Sequence, residues 1–82
     1  MELEKFDGWL KRSVGLTDKS ASDVVSRLRR ASQFINVNSK QAIEDVIHKL
    51  GKDPKFNQLT DTVRSQLRRA VKLYRQFEDR HD

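Results

Sequence analysis

A chain of 82 residues, 35% charged and 35% hydrophobic and without cysteine, has room for one small domain, residues 1–82, held by neither a disulfide nor a thiolate metal site. Its 17 basic against 12 acidic residues leave a net charge of +5 and a pI near 9.9, which points to a polyanionic partner rather than to a pocket for an acidic substrate. No run approaches the roughly 18 apolar residues of a membrane span, and the opening Met-Glu-Leu-Glu lacks the regions of a signal peptide, so a soluble, cytoplasmic chain with no membrane partner is expected.

Leu3, Phe6, Trp9 and Leu10 recur at helical spacing, with Glu2 and Glu4 at the start and Lys11 and Arg12 at the end as the helix dipole favours. A first helix is therefore expected over 2–12. Phe6 and Trp9 share a face with Leu3 and Leu10, which makes them core anchors rather than an exposed platform for stacking bases. Gly15 ends this region, Leu16 turns inward, and Thr17 caps a second helix over 18–35 with Asp18 in its first turn. The buried stripe of that helix is Ala21, Val24, Val25, Leu28, Ala31 and Ile35; Arg30 lies opposite the stripe, and Arg27 and Arg29 flank it.

Asn36 to Ser39 reads as a polar turn. Asn38 and Gln41 have capping-box spacing, with Ser39 as the alternative cap, for a third helix over 39–50 whose apolar face is Ala42, Ile43, Val46, Ile47 and Leu50. Gly51 is the expected stop, Asp53-Pro54 opposes continuation, and Phe56 is expected to plug the core from the connection 51–58. Thr60 caps a fourth helix over 60–79, followed by Asp61, and Val63, Leu67, Ala70, Val71, Tyr74 and Phe77 form its apolar stripe, the longest in the chain.

A basic motif occurs in both longer helices: Ser26, Arg27, Leu28, Arg29, Arg30 and Ala31 return as Ser65, Gln66, Leu67, Arg68, Arg69 and Ala70. Leu3, Phe6 and Leu10 pair with Ile43, Val46 and Leu50 if one residue is inserted, so the recurrence is either a duplicated helical hairpin or a coincidence of common helix formers. The positive charge follows the motif. Residues 1–13 and 41–58 are each neutral, and the excess lies in 14–40 and 59–82.

On the fourth helix Arg64, Arg68, Lys72 and Arg75 fall on one face, whereas Arg69 lies on the far flank. Asp61 is the single acid between 60 and 77, so intrahelical ion pairs cannot neutralise the five basic residues there. Arginines that only keep a small domain soluble would have the same composition. A row of cations without internal partners also suits the repeated phosphates of duplex DNA, with Arg27, Arg29, Arg30, Arg64, Arg68, Lys72 and Arg75 as the candidate contacts.

Catalytic and cofactor signatures are missing. His48 and His81 have no cysteine or helical histidine partner, which leaves metal ligation unsupported and makes His48 a helix-surface residue. There is no nucleophile elbow, Gly-rich phosphate loop or paired-carboxylate cleft, so neither an enzyme, nor a cofactor, nor a small-molecule substrate is expected.

Gly15, Leu16, Thr17, Ser20, Val24, Leu28, Ala31 and Phe34, together with Thr62, Val63, Leu67, Ala70, Leu73, Tyr74 and Phe77, resemble the N-terminal core-binding domain of tyrosine recombinases, the phage-integrase family of DNA recombination. The pattern departs from that family at Val24 and Ala31, where small residues replace large ones, and at Ala70-Val71, where Leu-Arg is common. The resemblance covers nearly the whole chain. It implies an all-α, SAM-like domain of four helices in two crossed hairpins, whose second and fourth helices lie against DNA. The family's catalytic domain has no counterpart: His-x-x-Arg does not occur, and Tyr74 sits on the buried stripe. The rival expectation is a phage or bacterial interaction domain in which the last helix docks on an acidic protein or on a second copy of the chain.

Overall fold

The computed structural model describes residues 2–38 and 40–80. Helix α1 runs Leu3–Trp9 and continues as a π-helical segment, Leu10–Val14; α2 spans Asp18–Ala31, α3 Ile43–Gly51, α4 Pro54–Asn57 and α5 Asp61–Glu78. The fold is all-helical, with no strand among the described residues. Four of these helices answer to the expected ones, and the single turn α4 is additional.

The π-segment resolves a conflict of phase. Continued as an α-helix, Val14 would follow Phe6 and Leu10 onto the buried face; in the wider turn it is 37% exposed. Leu10 C=O accepts from the N–H groups of both Gly15 and Leu16, the latter at 3.0 Å. Gly15 adopts φ 84°, a left-handed conformation that costs a glycine little, and this reversal folds Leu16 back against the core.

Helix α2 starts as expected, with Thr17 Oγ1 accepting from Ser20 N–H at 3.1 Å. It ends at Ala31 rather than at residue 35. The Ser32 hydroxyl donates to Arg29 C=O at 2.6 Å, Gln33 and Phe34 donate to the carbonyls three residues back, and the tightened chain lets the Phe34 ring meet Phe56 edge-on at 6.0 Å. The supposed polar turn that follows contributes Val37 to the core, 5% exposed, while Asn36 Oδ1 accepts from Asn38 N–H at 3.0 Å.

The expected capping box does not form, and α3 begins at Ile43 rather than residue 39, after an Ala42 that offers no side-chain cap. Ser39 lies outside the described residues. Gln41 is used elsewhere: its side-chain oxygen accepts from Lys49 Nζ at 2.8 Å and its carbonyl from Arg75. Ala42 is exposed, leaving Val46 and Leu50 as the buried face, with Ile43 and Ile47 half-buried. Gly51 is the last helical residue and not a left-handed stop. The break comes at Asp53, whose Oδ1 accepts from Lys55 and Phe56 N–H at 2.8 and 3.2 Å to cap α4, with Pro54 at its first position. Phe56 is 1% exposed, so it plugs the core as expected.

In α5 Thr60 Oγ1 accepts from Val63 N–H at 3.3 Å. This helix packs most extensively on α2; α1 contacts both, and α3 packs against α5. The core joins Ala21, Val24, Leu28 and Ala31 to Leu67, Ala70, Val71, Tyr74 and Phe77. Phe6 holds the α1 side, its ring edge-on to Tyr74 at 5.1 Å and 5.5 Å from Phe77, with the half-buried Trp9 beside them.

Candidate nucleic-acid interface

Because α5 buries one face against α2 and α1, its cations are distributed over the flanks and outer surface, and their surroundings differ. Arg64, three residues after Asp61, forms an ion pair with it. Arg68, half-buried, donates to Ser65 Oγ at 3.2 Å, and its guanidinium lies 6.0 Å from the centre of the Phe56 ring. Arg75 donates to Gln41 C=O at 2.6 Å and so ties α5 to the entry of α3. Lys72 is exposed. The four residues of the expected row therefore share a face of the helix but not a single state.

The structure also brings forward a residue that helical spacing left aside. Arg69 is exposed and joins Ser65, Arg68, Lys72, Leu73 and Gln76 around one shallow depression on α5, with no carboxylate among these six. Its signal in the sequence was the adjacent Arg68-Arg69 pair of the repeated motif. In α2, Arg29 and Arg30 are exposed and Arg27 is half-buried. Arg29 faces the α1 side, in a depression it shares with Glu4 and Asp7, and so has two carboxylates for neighbours. None of Arg27, Arg29, Arg30, Arg68, Arg69 or Lys72 forms an ion pair with a described residue.

Elsewhere the polar side chains are structural. Lys11 pairs with Asp7 at 2.8 Å and Asp18 at 3.4 Å, and the hydrogen bond to Asp7 raises its pKa above 10.5. Tyr74, 2% exposed, accepts from Glu2 N–H at 3.3 Å, and burial pushes its phenol above 10. His48 is exposed on α3, and His81 lies outside the described residues. Among the described residues no group of His, Cys, Asp and Glu could hold a metal ion, and no helix is long and apolar enough to cross a membrane.

Comparison with family models, curated proteins and solved structures finds no match to this chain.

Proposed function

We propose that the chain is a non-catalytic DNA-binding module that grips the phosphate backbone of a duplex through its two basic helices, α2 and α5. The observation that carries this reading is the depression on α5, where Arg68, Arg69 and Lys72 converge with no carboxylate beside them. Cations not neutralised by a carboxylate release counterions when they meet phosphates, which drives association. Arg27 and Arg30 of α2 add further cations without ion pairs among the described residues, whereas Arg29 lies beside Glu4 and Asp7. The contacts of α1 with α2 and of α3 with α5 support a reading of two helical pairs joined through α2 and α5, as the integrase resemblance implies. On this reading the module positions DNA and leaves any cutting or rejoining to other residues, since Tyr74 is buried.

Fluorescence-anisotropy titration of a short labelled duplex over a range of salt tests the proposal. Each cation that meets a phosphate contributes about 0.9 to the slope of log affinity against log salt, so Arg68→Ala with Lys72→Ala lowers it by about 1.8. Lys5→Ala with Lys11→Ala changes it much less, because Lys11 is already neutralised by Asp7. Equal slopes for the two double variants, or no salt-sensitive binding by the wild type, would shift the function to a protein partner. The cleft lined by Phe34, Ile35, Asn36, Gln41, Val46 and Lys49 is the surface that favours that second reading.

A further inference from the structure

We infer that the phosphate-binding edge of α5 is its outer edge, Arg68, Arg69 and Lys72 with Ser65 and Gln76 alongside, whereas Arg64 is neutralised within its own helix and Arg75 clamps that helix to the entry of α3. The inference rests on the nucleic-acid reading above and assigns different roles to residues that share a helix face.

Arg64 and Arg75 both have their charge engaged at home. Arg64 is paired with Asp61 one turn back, so a phosphate would have to displace a carboxylate to reach it. Arg75 is half-buried and donates to the Gln41 carbonyl at 2.6 Å, while the Gln41 side chain accepts from Lys49 at 2.8 Å. Withdrawing Arg75 to meet a ligand would undo a contact between residues 34 positions apart in sequence and release the segment that leads into α3.

The outer edge has the opposite character. Arg69 and Lys72 are neighbours three residues apart on a helix, both exposed, with no carboxylate lining the depression they share. Their mutual repulsion is relieved by an anion. Arg68 is already oriented by Ser65 Oγ and the Phe56 ring, so binding costs it little rotamer freedom, and a guanidinium with five N–H donors keeps several for a ligand. Ser65 and Gln76 add neutral polar groups at the two ends. At about 1.5 Å of rise per residue the edge from Ser65 to Gln76 is about 16 Å long, enough for successive phosphates of a polymer rather than one isolated ion.

Two double variants separate the edges by their salt dependence on a short duplex. Arg69→Gln with Lys72→Gln is expected to lower the slope of log affinity against log salt by about 1.8, whereas Arg64→Gln with Arg75→Gln leaves it unchanged and lowers the melting temperature. Equal loss of slope in both pairs, or loss only in the second, overturns the assignment while leaving DNA binding in place. If the wild type does not bind the duplex, amide shifts in ¹⁵N-labelled protein titrated with inorganic tripolyphosphate decide the matter. Shifts concentrated between residues 65 and 76, absent in the Arg69→Gln, Lys72→Gln protein, uphold the anion site and dispose of DNA as its ligand; no shifts there overturn both.

Discussion

Glu78 shows how a single side chain feels both its helix and its neighbours. It is the last residue of α5, where the helix dipole disfavours negative charge, and Tyr74, Phe77 and Arg80 wall the depression it borders. Partial burial first, then the charges of Asp79 and Glu2, raise its carboxyl above the ordinary 4.5, with Arg75 opposing the shift. The folded protein therefore holds this proton more tightly than the unfolded chain does. Its contribution to stability is lost as pH rises from 4.5 through the raised folded value, and at neutral pH the ionised group opposes folding. Glu78→Gln should raise the melting temperature at pH 7 and leave it unaltered well below pH 4.5. The shift is expected to be small because the side chain remains exposed. An unchanged difference between the two proteins across this range, measured by circular dichroism melts, would show that the carboxyl is not perturbed.

At the scale of elements, each longer helix begins on a threonine that accepts a hydrogen bond from the backbone three residues on, Thr17 from Ser20 and Thr60 from Val63. Loss of the second cap has more reach, because the first turn it holds presents Asp61 to Arg64. Thr60→Ala should cost about 1 kcal/mol in urea denaturation, whereas Thr60→Asn should cost almost nothing because asparagine caps equally well. Similar losses for both substitutions would mean that the hydroxyl at 3.3 Å is not a working cap. The π-segment of α1 follows a comparable local logic. A residue that would otherwise be driven inward is turned out, and Gly15 lets the next apolar residue replace it.

For the whole molecule, the pairing of α2 with α5 is decisive. Leu28 and Leu67, the equivalent positions of the repeated motif, are both 0% exposed in one shared core, as are Ala31 and, within a per cent, Ala70. Leu→Ala at either position should cost about 2–5 kcal/mol, because the packed helices around it cannot close the cavity. A domain this small is expected near the low end of the usual range of about 5–15 kcal/mol, so either variant should be close to unfolding. Guanidinium denaturation checks this, and a change below about 0.5 kcal/mol at both sites, the size usual for surface substitutions, would separate the motif from the core. The aromatic cluster of Phe6, Trp9, Tyr74 and Phe77 then closes the end where α1 meets α5.

Local pattern was enough for the helices as elements: the caps Thr17 and Thr60, the reversal at Gly15, the plug Phe56, and the core positions Leu28, Leu67 and Tyr74 were legible because each depends on residues within about one turn or on a repeated apolar period. The Asp61 and Arg64 pair was equally local, three residues apart, and its effect on the basic row could have been read from spacing alone. Tertiary contacts alone settled where Phe34 packs after α2, the late start of α3 and the engagement of Arg75. These depend on partners distant in sequence: Phe34 on Phe56, and Arg75 on Gln41 at 34 positions. Periodicity states which face a helix buries, but a charge on the flank of that face is free or engaged according to which neighbouring helix supplies a carbonyl, a ring or nothing at all.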